Sequence, residues 1–216
     1  MIPYMMKIIR FRAKRKLKRL AIFIFKAESA NLDVTKPQER IITMTKQPKT
    51  TKTVPSTVEE PKHLYLMRHG KASKKDKYGD ADRPLAKRGR KDVKKLKKML
   101  RAMELKPDLI LCSPAARTRE TLERVMDVFD GTEVIFDEML YNAEADEIIG
   151  VLSRLSPDKK EVLLVGHNPS LAELVALSKQ HDIERFPTAS LACIEIKGGW
   201  NDFSPENAHF VGAARH

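Results

Sequence analysis

Beyond residue 62 the chain alternates short, unbroken apolar runs with longer stretches in which apolar residues recur every three or four positions. The first pattern predicts buried strands and the second predicts helices packed through one face. The predicted strands are "HLYLM" (63–67), "DLILC" (108–112), "EVIF" (133–136), "EVLLVG" (161–166) and "LACIEI" (191–196). A helix is predicted over 85–103, with Val93, Leu96, Leu100 and Met103 on one stripe and lysines opposite. Another is predicted over 114–129, with Leu122, Val125, Met126 and Phe129 inward. Two more are predicted over 145–155, facing inward through Ile148, Leu152 and Leu155, and over 170–178. Pro107 would end any helix before the second strand, and Pro114 suits the first turn of the helix after it. The run at 161–166 suits a central strand covered on both faces. Strands alternating with helices in this way predict an α/β layered domain.

Residues 1–61 do not share this pattern. Met1 to Lys26 holds nine Lys or Arg and no acid, with "RAKRKLKRL" followed by "AIFIF". The apolar run there is far shorter than the roughly 20 residues that span a bilayer. Ile9, Ala13, Leu17, Leu20 and Ile24 fall on one helical face, on which Lys16 intrudes. A basic amphipathic helix of that kind could contact a membrane surface through residues 1–26. The lack of acids also suits an organelle-targeting presequence, although serine is scarce. The blander readings are a solvated, disordered tail, or sequence upstream of a natural start at Met44, behind which lies a polar Lys/Thr/Pro-rich linker. The division expected is a basic extension and linker at 1–61 and one domain at 62–216.

Charge and composition sharpen this division. The 216 residues carry a net +12 and are 42% hydrophobic, enough for one core plus a tail. Residues 1–63 hold 15 Lys and Arg against 5 acids, whereas residues 64–216 hold 26 against 24. The basicity belongs to the extension, so no nucleic-acid partner is expected for the domain. Cys112 and Cys193 sit far apart in apolar runs and read as buried thiols of a reducing compartment. A cytoplasmic monomer is expected, with organelle targeting or peripheral membrane attachment as the alternative that the basic extension would provide.

The chemistry lies where predicted strands end. Three of them run into "RHG" (68–70), "SPAAR" (113–117) and "GHNPS" (166–170). Carboxyl ends of strands line the ligand crevice of open α/β sheets, so Arg68, His69, Arg117 and His167 are expected to converge on one edge. Two arginines and two histidines with no acid between them suit a dianion. The guanidinium fork matches phosphate oxygens, and a neutral imidazole can attack phosphorus. The turn after Ser113 opens a helix whose free N–H groups would add to the positive field. There is no Walker motif, no acidic metal cluster and no CxxxxxR loop, which leaves phosphoryl transfer through histidine without a metal or other cofactor.

"LMRHGKAS", "DRPLAKRGR", "LILCSPAARTRETLE" and "VLLVGHNPSL", in this order, resemble the histidine phosphatase superfamily, with the compact form of the SixA-type phosphohistidine phosphatases. The resemblance covers about residues 62 to 200. It implies a phosphoglycerate-mutase-like, three-layer α/β/α sandwich with a mostly parallel central sheet. By the same resemblance His69 is the nucleophile, Arg68 and Arg117 clamp the phosphoryl oxygens, and His167 stabilises the transferring group. Gly70 would let the backbone pass close to the phosphate, and Ser73 and Asn168 are rim candidates.

Many members of this superfamily place a glutamate two residues beyond a leucine as general acid for an alcohol leaving group. Here the position after Leu140 is Asn142, with Glu138 and Glu144 as nearby substitutes. A site without a strong acid suits a phosphoramidate, because protonated imidazole leaves phosphorus more readily than an alkoxide. The expected substrate is therefore phosphohistidine on a protein. A small phosphate ester, with Glu138 or Glu144 as acid, is the alternative; a phosphate-binding adaptor recruited by its basic tail is the second. Arg83 is expected either to hold a loop through a carboxylate such as Asp80 or to shape the rim. The lysine run "KKLKK" (94–98) reads most simply as a solvated helix face, with docking of an acidic phosphoprotein as the alternative, and His63, His181, His209 and His216 as structural or exposed.

Overall fold

The computed structural model describes residues 60–74, 79–179 and 186–215. The readings of the basic extension as helix, tail, membrane contact or presequence, the start at Met44, and the expectations for His181 and His216 lie outside the described residues. Six strands are described: β1 (Lys62–Arg68), β2 (Leu109–Cys112), β3 (Glu133–Phe136), β4 (Glu161–Gly166), β5 (Leu191–Ile196) and β6 (Ala208–Ala214). They form one sheet in the order β3-β2-β4-β1-β5-β6. β1, β2, β3 and β4 are mutually parallel, while β5 runs antiparallel to β1 and β6 antiparallel to β5.

Helices α1 (Lys87–Met103), α2 (Ala116–Glu123), α3 (Ala145–Leu152) and α4 (Ser170–Lys179) cover the sheet. In β1, β2, β4 and β5 the continuous apolar runs have a direct cause: successive side chains point to opposite faces, and both faces are buried; the edge strand β3 leaves Ile135 and Phe136 exposed. Leu64, Leu66, Leu109, Leu111, Val162 and Leu164 enter a core with Ile148 and Leu152 of α3 and Leu174 of α4. Tyr65, Met67, Ile110, Cys112, Leu163 and Val165 enter a second core with Val93, Leu96 and Leu100 of α1 and Leu122 of α2. This is the expected three-layer α/β/α sandwich with a mostly parallel sheet. Both cysteines are free and buried, and burial pushes the Cys112 thiol up to about 12.

Several boundaries differ from the pattern-based expectation. The helix predicted over 114–129 is α2 followed by a separate 3-10 turn at Met126–Val128, because i→i+3 bonds such as Val125 N–H to the Leu122 carbonyl tighten its end. Leu122, Val125 and Phe129 are nonetheless buried as expected. α3 stops at Leu152, three residues short. Leu85 is not helical: it bridges to Ala72, and its N–H donates to Glu120 Oε2 at 2.7 Å. β6 was not anticipated, since "AHFVGAA" offers neither alternation nor a continuous bulky run. Its pairing with β5 supplies what its side chains do not.

Register decides where the strands end relative to one another. Arg68 lies opposite Gly166, and Cys112 lies opposite Val165. β1, β2 and β4 therefore terminate side by side, which brings residues 68–69, 113 and 167 to one edge of the sheet.

Candidate active site

At that edge Arg68, His69, Arg117 and His167 share a cavity of about 270 Å³ with Lys71, Ala72, Arg83, Asn142, Asn168 and Thr188. Backbone bonds fix its floor. The His69 N–H donates to the Gly166 carbonyl at 3.2 Å and the Ser113 N–H to the Val165 carbonyl at 3.1 Å. The His69 and His167 ring centroids are 5.1 Å apart.

The His69 ring is oriented from behind. Its Nδ1 lies 2.7 Å from the Gly70 carbonyl, which can only accept, so Nδ1 carries the proton and Nε2 holds a free lone pair. Burial pushes the imidazole down to about 4; the bond to Gly70 opposes this, while Arg117, Arg68 and Arg83 add to it. The ring is therefore neutral at physiological pH, the form in which it is a nucleophile.

His167 is bound at both nitrogens. Arg117 Nε–H donates to Nδ1 at 3.3 Å, so Nε2 bears the proton and donates to Ser113 Oγ at 2.8 Å. Burial, the neighbouring His69 and Arg117 hold it down to about 3, with Asp80 acting the other way. With both nitrogens engaged, His167 orients Arg117, and direct donation to a phosphoryl group would require Arg117 to release it.

Arg68 donates through Nη1 to the Phe186 carbonyl at 2.6 Å, while its Nε is buried without a partner. Burial lowers its pKa, since charge is costly there. Arg117 is 6% exposed and is held by Asp80: Nη1 donates to the Asp80 carbonyl at 2.6 Å and Nη2 to Oδ2 at 3.1 Å. Asp80 also accepts from Arg83 Nη1 at 3.0 Å and from the Tyr141 hydroxyl at 3.1 Å. The sequence reading had no acid beside the cations. The structure places one directly behind them, although none of the cavity-lining side chains is acidic. Arg83 fills both of its proposed roles, binding Asp80 and lining the rim.

The lower-ranked residues separate. Asn142 lines the cavity in a left-handed conformation (φ 55°), and Asn168 lines it with Nδ2 bonded to the Phe186 carbonyl at 3.0 Å. Glu138 and Glu144 are exposed and do not line it; Glu144 instead forms a capping box with Glu147 at the start of α3. The Ser73 carbonyl accepts from Arg83, and its hydroxyl does not reach the cavity lining. Gly70 is required by packing. A Cβ there would lie 2.7 Å from Val93 Cγ2 and 3.2 Å from Leu85 Cδ2, on the α1 side. The α2 N-terminus also differs from expectation, because its Ala116 N–H donates to the Ala81 carbonyl at 2.8 Å.

Asp80, Ser113, Tyr141, Lys71 and Thr188 complete the surroundings and were not foreseen as site residues. Only Asp80 and Ser113 carried a signal, as an acid close before "RPL" and as the residue that follows β2.

A cationic cavity around a neutral imidazole, at the carboxyl ends of parallel strands, defines an α/β protein built to handle phosphoryl groups. The family model of the histidine phosphatase superfamily (branch 1) matches residues 64–151. An uncharacterised protein of Mycobacterium tuberculosis is 32% identical over 157 residues, covering 68% of this chain and 97% of that protein. An uncharacterised chloroplastic protein of Arabidopsis thaliana is 31% identical over 153 residues, covering 65% and 70% respectively. Among solved structures, the SixA protein of Nakamurella multipartitia, provisionally identified as a phosphohistidine phosphatase, superimposes with a TM-score of 0.62. It is 28% identical, over 73% of this chain and 97% of its own. The chain belongs to the histidine phosphatase superfamily, and its family and its SixA-like fold support phosphatase activity. Among the described residues, no helix is long and apolar enough to cross a membrane.

Proposed function

We propose that the protein is a metal-independent phosphatase that removes phosphate from phosphohistidine on a protein, through a phosphorylated His69. The observation that carries this reading is the His69 Nδ1–H bond to the Gly70 carbonyl at 2.7 Å. It leaves the Nε2 lone pair free among Arg68, Arg117 and Arg83.

In the first step His69 Nε2 attacks phosphorus while the bond from phosphorus to the substrate imidazole breaks. The substrate ring, protonated on its other nitrogen, takes the bonding pair and departs as neutral imidazole. Arg68 and Arg117 carry the charge on the three equatorial oxygens. In the second step water attacks phosphorus, the P–Nε2 bond breaks, and inorganic phosphate leaves with neutral His69 restored. His167 keeps Arg117 in place through its Nδ1.

The leaving group supports phosphohistidine over an ester. Imidazolium has an ordinary pKa near ~6.5, so the substrate nitrogen is readily protonated and needs no strong acid from the enzyme. An alkoxide needs one, and the cavity lining offers Asn142 in the position after Leu140 and no carboxyl group.

The test combines trapping with a substrate panel. Mass spectrometry without acid quenching should find phosphate on His69 after brief exposure to a phosphohistidine peptide. Turnover should survive EDTA and disappear in His69→Ala. Robust turnover by that variant, or sugar phosphates hydrolysed much faster than phosphohistidine, would overturn the reading.

A further inference from the structure

The active-site cavity admits one phosphorylated side chain and offers no area for recognising the protein that carries it. A stable protein interface covers on the order of 800 Å² per partner, so recognition of a protein needs a second surface. Helix α1 supplies one. Nine of its 17 residues are Lys or Arg, and its one acid, Asp92, is buried. Residues 64–216 as a whole balance 26 cations against 24 acids, so the charge of the domain is concentrated on this helix.

Lys87, Lys91, Lys94 and Lys98 recur at i, i+4, i+7 and i+11, a straight exposed stripe of about 16 Å. They line a cleft of about 760 Å³ between α1 and the end of α2. Of the two acids that line it, Asp127 pairs with Lys97 and Arg101 while Glu123 is exposed; Glu120, outside the lining, pairs with Arg90 and Arg124. The four stripe lysines have no ion-pair partner among the described residues. Like charges at this spacing cost a helix a few tenths of a kcal/mol per pair, so the fold gains nothing from them. The N-terminal end of the stripe lies near the active site, because the N–H of Ala86, the residue before Lys87, donates to the carbonyl of Lys71, which lines the catalytic cavity.

We propose that this face of α1 docks an acidic helix on the protein that carries the phosphorylated residue; the identity of that carrier rests on the function proposed above. An acidic helix with Glu or Asp at i, i+4, i+7 and i+11 repeats its charges at the same pitch as the stripe. Complementary fields of this kind steer association and weaken with salt.

The experiment uses full-length protein and its Lys87→Gln/Lys91→Gln/Lys94→Gln/Lys98→Gln variant, so that residues 1–63 contribute equally to both. The probes are an alanine-based helical peptide with glutamates at the four positions and a glutamine twin, each with and without one terminal phosphohistidine. By fluorescence anisotropy, the unphosphorylated acidic peptide should bind wild type about tenfold more tightly than the variant at low salt, a difference that vanishes near ~0.5 M salt. kcat/KM for the phosphorylated acidic peptide should fall about tenfold in the variant, while that for free phosphoimidazole stays unchanged. Equal binding by both proteins, or equal binding of both peptides, overturns the proposal. So does a variant that loses affinity only for an oligonucleotide or for anionic lipid vesicles. Peptide binding through α1 without hydrolysis supports the docking surface and refutes the phosphohistidine reading, so the two fail separately.

Discussion

Gly89, in the first turn of α1, is the point where the helix and the catalytic loop touch most closely, and replacing it by alanine should damage both stability and turnover. A Cβ at Gly89 would stand 2.2 Å from the Lys71 carbonyl oxygen, 2.8 Å from its nitrogen and 2.9 Å from its carbonyl carbon. All three atoms are backbone, so no side chain can swing away. The carbonyl would have to retreat by about 0.8 Å to reach even 3.0 Å, which stretches or breaks the Ala86 N–H bond to the same oxygen, now 2.8 Å. Overpacking costs roughly 1–3 kcal/mol and the lost hydrogen bond about 1 kcal/mol. Better helix propensity returns about 1 kcal/mol, leaving a net loss of roughly 1–3 kcal/mol. With an m-value near ~2 kcal/mol/M, the urea midpoint should fall by about 0.5–1.5 M. Lys71 lines the cavity two residues after His69, and a displacement of about 1 Å can cost on the order of 100-fold in turnover. Gly150→Ala in α3 is the matched control: nothing lies within 4 Å of its Cβ, so it should stabilise by up to about 1 kcal/mol. A Gly89→Ala protein with an unchanged midpoint and wild-type kcat would refute the contact as the reason for the glycine.

Two further outcomes follow from the electrostatics of the site. NMR titration of the free protein should place His69 near pH 4 and His167 near pH 3, well below an ordinary histidine. The fold favours both neutral rings, so the unfolded chain binds protons first: their stabilising contribution is complete above about pH 6.5 and is lost as the pH falls towards 4 and then 3. A His69 that titrates near 6.5 would contradict the buried, arginine-flanked ring. Asp80→Asn should lower kcat/KM by roughly 10- to 100-fold, the worth of charged hydrogen bonds of about 1.5–3 kcal/mol, and should push the His167 pKa down further. Unchanged kinetics would show that Arg117 needs no carboxylate behind it.

Much of this protein was legible along the chain. Continuous apolar runs marked strands, buried on both faces except for the edge strand β3, and their alternation with helices marked the α/β layered class. Arg68, His69, Arg117 and His167 stood out because permanent or titratable charge directly after a buried strand is costly without a use. β6 escaped notice because its small side chains carry no period, and its order comes from hydrogen bonds to β5. The end of α2 was misplaced because a 3-10 turn buries nearly the same residues as one more α-helical turn.

Residue type and order by themselves determined the α/β class, the neutral body beneath a basic extension, and the set of groups suited to phosphate. These are properties of local pattern and of side-chain chemistry. Only the tertiary structure decided that Asp80 grips Arg117 and Arg83, that both nitrogens of His167 are taken, and that Glu138 and Glu144 stay out of the cavity. Those outcomes depend on strand register and loop path, which bring together atoms tens of residues apart. The two glycines near the site make the same point. Their purpose lies in the atoms packed against them, Val93 for Gly70 and the Lys71 backbone for Gly89, and no local pattern contains those contacts.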